Sequence, residues 1–265
     1  MDTVSVFLLG ALQGVLEWLP VSSSGQSVLI LTRLLHVDPQ AALEWAFYLH
    51  AGTLLAVLIK FKDDIRMMLL APGEARSGST LRFVVVGTLT TAVVGTPVFL
   101  LLHESFGSFN GEVVTGLVGL FLVVTGLVIY RGRRLPQGLR DVQSARLSDM
   151  VFLGVIQGIA VVPGISRSGT TVAAFLSRGF RQDEALRMSF IMSAPAVFGL
   201  LGLEFIKSGF SVVSFQVAAT GVLAAFVFGY LTLDVLLGLA HKIRFDVFCI
   251  VFGSFAVLLS VLPYF

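Results

Sequence analysis

Residues 13–25 read QGVLEWLPVSSSG and residues 157–169 read QGIAVVPGISRSG, two stretches that align without a gap and share Gln, Gly and Ser positions. Each stretch interrupts an apolar region, 4–35 or 150–179, with Pro, Gly and Ser. The apolar runs beside each interruption are about 14 residues long, whereas a helix needs about 20 to cross a bilayer. Irregular backbone at membrane depth is tolerated only inside protein or along a wet cavity. We therefore interpret both regions as re-entrant helical hairpins that enter and leave on the same side of a membrane.

The composition of the whole chain also indicates a membrane protein. Of its 265 residues, 56% are hydrophobic and only 13% are charged, whereas a soluble domain has about 25% charged residues. The single cysteine, Cys249, excludes an intramolecular disulfide framework. We expect an all-α polytopic membrane protein in which two re-entrant hairpins accompany six spanning helices. The predicted spans are 41–60, 83–102, 112–131, 186–206, 214–240 and 245–262.

The distribution of Lys and Arg tests this topology. Fifteen of the 18 basic residues fall on one face, in segments 60–82, 131–147, 178–187 and 242–244. The positive-inside rule makes that face cytoplasmic. Both termini, the 103–110 loop and the opening of the site are then on the outside of the cell membrane. The alternative, eight full spans, places 178–187 on the opposite face and scatters the positive charges.

Three crossings separate the two hairpins, so one must enter from outside and the other from inside. This pattern predicts an inverted-topology repeat, residues 1–131 and 132–265, within a single membrane domain. In such folds the binding site lies near the midplane, where the broken helices of the two repeats meet.

The polar residues of the two motifs suit a phosphorylated lipid. Hydroxyl groups and free N–H groups at helix N-termini bind anions, and the guanidinium of Arg167 matches phosphate oxygens. A charge inside the membrane costs about 2.5–3.5 kcal/mol, so it usually has a function. The alternative is a buried Glu17–Arg167 ion pair that only locks the hairpins, which does not explain the matching hydroxyls and glycines. The residues expected to bind the diphosphate are Gln13, Ser22, Ser24, Gly25, Gln26, Ser166, Ser168, Gly169 and Thr171.

If this site hydrolyses the phosphorylated lipid, it needs a nucleophile or an activated water. Ser23 is the candidate nucleophile, because its counterpart in the second motif is Arg167 and facing repeats would bring the two together. Glu17 can act as general base, or it can hold a divalent cation, such as Mg²⁺ or Ca²⁺, with the diphosphate. Spacing alone does not decide between these roles, and the catalytic set expected is Glu17, Ser23 and Arg167.

Other polar residues receive a structural interpretation. We expect His50 and Tyr48 to form hydrogen bonds that pack helices. Glu204, Asp234 and His241 lie near the ends of predicted spans, where contact with water is expected.

The two motifs resemble the signature motifs of the undecaprenyl-diphosphatase (BacA-type, bacitracin-resistance) family, and segments 49–57 and 184–190 are also similar to that family. The resemblance covers essentially the whole chain. It implies hydrolysis of an undecaprenyl-type polyprenyl diphosphate to the monophosphate at the outer leaflet. That step recycles the lipid carrier for peptidoglycan and other envelope polymers and confers resistance to bacitracin, which sequesters the diphosphate. The family fold, an inverted repeat with two re-entrant hairpins, agrees with the topology inferred from the charges.

The family's motif carboxylate corresponds to Glu17, its serines to Ser22 and Ser23, and its essential arginine to Arg167. Two positions depart from the pattern, since the family often has Glu in place of Gln13 and His in place of Gln26. These changes remove an acid and a titratable base, so we expect weaker or differently tuned metal dependence.

A second hypothesis is a flippase or transporter for polyprenyl phosphate, because inverted repeats with broken helices are a transporter architecture. The partners expected are the polyprenyl diphosphate, membrane lipids and, as one option, a second copy of the chain in a homodimer. No nucleic acid is expected.

Overall fold

The computed structural model describes residues 2–106, 108–135, 138–209, 215–240 and 244–262. Side chains are described for all of these residues except 236–240. Helices dominate this part of the chain, where β structure is limited to an isolated bridge. A π-helical turn continues the second helix and a 3₁₀ turn precedes the seventh. The helices are α1 Thr3–Leu16, α2 Ser23–Leu29, α3 Pro39–Lys60, α4 Lys62–Leu70, α5 Ala75–Phe106, α6 Gly111–Gly132, α7 Leu147–Ile159, α8 Arg167–Ser177, α9 Gln182–Ser208, α10 Phe215–Ala240 and α11 Phe245–Val261.

Five described helices, α3, α5, α6, α9 and α10, are long and apolar enough to cross a membrane. They coincide with five of the six predicted spans. The sixth prediction coincides with α11, which is apolar but has only 17 residues. Its crossing therefore stays a prediction.

The predicted span 83–102 is longer in the structure, because α5 already begins at Ala75. Part of the basic segment 60–82 also forms α4. Two acidic residues in the first turn of α4 complement the positive end of its dipole, and Met68 is buried. The predicted positions His241 and Lys242 lie outside the described residues.

Both interrupted regions are helix–turn–helix units, as the sequence predicts. In the first unit the turn between α1 and α2 places Ser22 in the left-handed region at φ 58°. In the second, the turn between α7 and α8 contains Gly164 at φ 99°. Ser22 and Ser166 then act as the N-caps of α2 and α8, each accepting from the backbone N–H three residues later. We call these turns the first tip (residues 17–25) and the second tip (residues 161–169).

Glycines allow two matching helix pairs to pack closely. A methyl group on Gly14 of α1 would lie 2.7 Å from the backbone nitrogen of Gly229 in α10. A methyl group on Gly158 of α7 would lie 3.0 Å from the backbone nitrogen of Gly95 in α5. Small residues let the backbones of packed apolar helices approach in this way. The pair α1–α10 and the pair α7–α5 therefore use the same packing device.

The two ends of each helix–turn–helix unit lie close together. Asp149, in the first turn of α7, accepts hydrogen bonds from Arg178 at 2.7 Å, just beyond α8, and from Arg140 at 2.6 Å. In the first unit, Val6 and Leu31 belong to one buried apolar cluster at the start of α3. In the second unit the start of α7 is thus bonded to the residue that follows α8, and in the first unit residues from both arms share one apolar cluster.

Candidate functional site

The two tips meet at the carboxylate of Glu17. Its Oε1 accepts a hydrogen bond from Nη2 of Arg167 at 2.5 Å. Its Oε2 accepts from Oγ of Ser23 at 2.6 Å and from Nε2 of Gln13 at 2.9 Å. Glu17, Ser23 and Gln13 are all buried. The ion pair considered from the sequence is thus present, but a serine hydroxyl shares the same carboxylate.

His50 of α3 is the site residue that the sequence analysis missed. Its Nε2 lies 3.4 Å from Oε2 of Glu17, and its Nδ1 lies 2.7 Å from the carbonyl oxygen of Ala46. Because a carbonyl only accepts, Nδ1 carries a proton and Nε2 is the nitrogen directed at the carboxylate. Two signals pointed to it: an ionisable residue in an apolar span is usually functional, and Gln26 stands where the resemblance leads us to expect a histidine.

Several motif hydroxyls hold the irregular backbone of the tips. Oγ of Ser22 accepts from the backbone N–H of Gly164 at 2.9 Å, which joins the first tip to the second. Oγ of Ser168, in the second tip, donates to the carbonyl oxygen of Leu19, in the first tip, at 3.1 Å. Thr125 of α6 donates to the carbonyl of Gly164 at 3.0 Å. Backbone groups that lack a helical partner are thereby satisfied inside the protein.

A small polar cavity lies where the tips meet. Its volume is about 40 Å³, and a cavity needs about 10–15 Å³ to hold a water. It therefore has room for a water or a phosphoryl oxygen beside the Glu17 carboxylate. The predicted site residues that line it are Glu17, Ser22, Ser23, Ser24, Ser166, Arg167 and Ser168.

The remaining predicted ligands support the tips from outside this cavity. Nε2 of Gln26 donates to the carbonyl of Val21 at 3.2 Å. Thr171 shares a 2.6 Å hydrogen bond with Ser189. Gly25 and Gly169 are close-contact positions, where a methyl group would meet the opposite tip at 2.8 and 2.9 Å. Direct binding of a diphosphate stays a prediction for these four residues, for Gln13 and for the residues that line the cavity.

A larger cavity of about 330 Å³ adjoins the small one. Ser24, His50 and Arg167 line both cavities, so the polar end of the larger one faces the tips. Its other walls are largely apolar and come mainly from α5 and α9, with Phe47 from α3. The combination of a charged, hydroxyl-rich end and an apolar body fits an amphipathic ligand. Apolar wall residues include Phe47, Phe99, Val161, Val197, Leu200 and Leu203.

The surroundings of Glu17 are a poor fit to a protein-bound metal ion. Both carboxylate oxygens already accept hydrogen bonds, and the cationic Arg167 lies beside them. A divalent cation is normally held by several carboxylate or carbonyl oxygens, and Glu17 has no second carboxylate among its described contacts. Within the described residues, the group that could hold a metal is instead Glu44, His103 and Glu204.

The apolar helices and the buried site between two broken helices define a multi-pass membrane protein with a serine-, glutamate- and arginine-lined centre. The sequence pattern of the family described as bacitracin resistance protein BacA matches residues 6–258. The chain therefore belongs to the BacA family, as its motifs suggested.

Three relatives that align over nearly the whole chain share the name undecaprenyl-diphosphatase. The chain is 38% identical to the undecaprenyl-diphosphatase of Methanothrix thermoacetophila, over 99% of each chain. It is 40% identical to that of Methanopyrus kandleri, over 95% of this chain and 93% of the relative. It is 38% identical to that of Haloarcula marismortui, over 94% of each.

Proposed function

We propose that this protein hydrolyses undecaprenyl or another polyprenyl diphosphate to the monophosphate and inorganic phosphate. The observation that carries the proposal is the Glu17 carboxylate, which accepts hydrogen bonds from both Ser23 and Arg167. A nucleophile, a base and a phosphate-binding cation are thus in contact in one buried site. The full-length similarity to proteins named undecaprenyl-diphosphatase supports this activity and does not favour a flippase.

Ser23 is the proposed nucleophile and Glu17 its base. The Ser23 hydroxyl already donates to Oε2 of Glu17, so its proton passes to that oxygen as Oγ attacks the terminal phosphorus. The bond from that phosphorus to the bridging oxygen breaks, and the polyprenyl monophosphate leaves. Water then attacks the phosphoserine, which releases inorganic phosphate and restores Ser23.

His50 is the proposed proton partner of Glu17. Once Glu17 has taken the serine proton, Nε2 of His50 is the nearest described basic nitrogen to Oε2. Its Nδ1–H is fixed on the Ala46 carbonyl, so the ring keeps one orientation. A proton can therefore move between Glu17 and His50 while Glu17 activates the water of the second step. This arrangement supplies a titratable base although position 26 holds glutamine.

Arg167 binds the phosphoryl oxygens in this proposal. It begins α8, whose N-terminal N–H groups carry the positive end of the helix dipole. Nη2 contacts Glu17 and Nη1 lies 3.4 Å from the carbonyl of Ser189, so the guanidinium is held at the cavity edge. Fixed donors that face developing negative charge stabilise the transition state without reorganisation.

The cavity supports an amphipathic substrate whose tail stays largely in lipid. A long polyprenyl chain is much larger than about 330 Å³, so only the head group and the first isoprenyl units fit. The polar end beside Ser24 and Arg167 suits the diphosphate, and the apolar walls suit the adjoining hydrocarbon.

The proposed topology is the inverted repeat with two re-entrant hairpins, with both termini and the site opening outside. The hydrogen bond between Arg178 and Asp149, and the apolar cluster that Val6 and Leu31 share, support hairpins that return to the side they entered. The matched packing of α1 on α10 and of α7 on α5 supports the equivalence of 1–131 and 132–265. The concentration of Lys and Arg on one predicted face supports the orientation.

The test is phosphate release from a polyprenyl diphosphate by the purified protein, with Glu17→Ala, Ser23→Ala and Arg167→Ala alongside. Release by the wild type and its loss in all three variants supports the proposal. Transbilayer movement of polyprenyl phosphate in vesicles without any release would instead support a flippase. Unchanged release in the three variants would refute the site.

The role of His50 is tested by His50→Gln, whose amide keeps much of the size and hydrogen-bonding capacity of the ring. We expect a large loss of turnover with little change in KM, because the proton partner of Glu17 is removed. Turnover equal to that of the wild type would show that His50 only packs α3 against the tips.

A further inference from the structure

Three ionisable side chains on three different helices meet at one end of the larger cavity. They are Glu44 of α3, His103 of α5 and Glu204 of α9, with ligand atoms within 4.8 Å of one another. Nε2 of His103 lies 3.7 Å from Oε1 of Glu204. Glu44 and His103 are half-buried, so the group can be reached from solvent.

The carboxylate of Glu204 gives independent evidence for a bound ligand at this group. The expectation that it contacts water is wrong, since the residue is 0% exposed. Its Oε1 accepts from Ser208 at 3.0 Å, but its Oε2 has no hydrogen-bond partner in the described part of the chain. A buried polar atom without a partner is destabilising, and more so if it is charged. A cation at the centre of the group would satisfy this oxygen.

The group lies close to the wall of the cavity that leads to Glu17. Each member is one helical turn from a cavity-wall residue: Glu44 from Phe47, His103 from Phe99 and Glu204 from Leu200. His50 lies six residues further along α3 than Glu44, or about 9 Å along the helix axis. The three helices that bear the group are therefore the same helices that form the walls of the cavity.

We propose that Glu44, His103 and Glu204 bind a divalent transition-metal ion of the Zn²⁺ or Mn²⁺ class. One imidazole and two carboxylates form a donor set that such ions accept readily, whereas Mg²⁺ and Ca²⁺ prefer oxygen ligands alone. Three protein ligands leave a coordination position for water or for an anion. The bound ion cross-links α3, α5 and α9 at the end of the cavity, distinct from the Glu17 centre.

Gln40 completes the surroundings of this site. Its Nε2 lies 3.1 Å from Nδ1 and 3.2 Å from Nε2 of His103 and donates to Glu44 at 3.3 Å, while its Oε1 has no partner among the described atoms. When the side-chain amide of Gln40 is rotated by 180°, its Oε1 can accept a hydrogen bond from the ring N–H of a metal-bound His103. Such a second hydrogen bond commonly orients a metal-ligating histidine.

The test is isothermal titration of the purified full-length protein, stripped with a chelator, with Zn²⁺ and with Mn²⁺. We expect one saturable equivalent in the wild type and in the control Glu104→Gln, which changes an exposed acid beside His103. We expect affinity at least about tenfold weaker in Glu204→Gln and in His103→Gln. Equal affinity in all four proteins, or no saturable binding by the wild type, would overturn the proposal.

Thermal melting provides a second measurement that does not depend on phosphatase activity. At metal about 100-fold above the wild-type Kd, we expect the wild type to melt about 5 °C higher and Glu204→Gln to gain no more than about half of that shift. Without metal, Glu204→Gln should be at least as stable as the wild type, because it removes an unpaired buried carboxylate. If that variant does not fold, His103→Gln provides the comparison. Identical metal-induced shifts in wild type and variant would contradict the site, whereas hydrolysis would be unaffected by that result.

Discussion

The first tip and the second tip occupy equivalent places in the two halves of the chain, yet they carry different side chains. The first holds Glu17 and Ser23, and the second has Val161 and Arg167 at the corresponding positions. The three polar groups come into contact only because the tips face each other. Neither half therefore contains the whole site. Repetition provides the broken-helix scaffold, and divergence at two positions provides the side chains to which we assign the chemistry.

The tips also reverse the chain with different residues. The first uses Ser22 in the left-handed region at φ 58°, and the second uses Gly164 at φ 99°. A left-handed conformation is costly for a residue with a side chain, by about 1–2 kcal/mol, and cheap for glycine. Ser22 is nonetheless suited to this position because its hydroxyl binds the N–H of Gly164. Ser22, the strained residue of the first tip, thus binds the turn at Gly164 in the second tip, where a left-handed backbone carries little strain.

Replacing Ser23 tests whether the chemistry lies in the first tip. We expect Ser23→Ala to lower turnover by a factor of about 10³ or more, because removal of a nucleophile is among the largest single losses in an enzyme. The control is Ser27→Ala, a buried serine of the same helix that lines neither cavity. Trapping of phosphoserine in the wild type but not in Ser23→Ala would confirm the covalent step. Comparable turnover in the two variants would mean that water, and not Ser23, attacks phosphorus.

Replacing Arg167 by lysine tests the contribution of the second tip. The charge is kept but the planar fork is lost, so we expect kcat/KM to fall by a factor of about 10². Arg181→Lys is the control, since Arg181 is exposed and pairs with Asp183 at the surface. Initial rates over a range of substrate concentrations give both values. A full-rate Arg167→Lys variant would show that a positive charge alone suffices at this position.

The helices and their interruptions were predictable because they depend on local properties of the chain. Apolar runs of sufficient length marked α3, α5, α6, α9 and α10, and clusters of Pro, Gly and Ser marked the two tips. The contact between the tips followed from the internal repeat, which places Ser23 and Arg167 at equivalent positions.

The contacts that the sequence did not reveal depend on how helices rotate against one another. His50 is one ionisable residue in an apolar helix, and only the packing of α3 directs it at Glu17. Glu204 is near the end of α9, yet neighbouring helices bury it completely. Distance from the end of a helix says little about which neighbours cover a side chain.

Adding a methyl group at Gly164 tests the turn of the second tip. The new Cβ of Gly164→Ala would lie 2.6 Å from the carbonyl oxygen of Val118, and φ would remain unfavourable. We expect a loss of about 2–4 kcal/mol of stability from overpacking and backbone strain together. Thermal melting of the purified protein measures it. Gly202→Ala in α9 is the control, since no atom lies within 4 Å of its new methyl; equal melting of both variants would contradict a tight second tip.

The smallest expected effects separate the two tasks of Ser22, namely capping α2 and adopting the left-handed turn. Ser22→Ala loses the hydrogen bonds to Gly25 and Gly164 and keeps the backbone strain, so we expect a loss of about 1–2 kcal/mol. Ser22→Gly loses the same hydrogen bonds but relieves the strain.

Glycine is also a better N-cap than alanine. The stability difference between Ser22→Ala and Ser22→Gly therefore contains two effects, capping and backbone strain. Ser166 caps α8 at an ordinary φ of −71°, and the same pair of substitutions there contains the capping effect alone. We therefore expect the alanine–glycine difference in melting stability to be larger at Ser22 than at Ser166, by about 1 kcal/mol. Equal differences at the two positions would mean that the left-handed turn of the first tip stores no strain, and that the two tips differ in their side chains only.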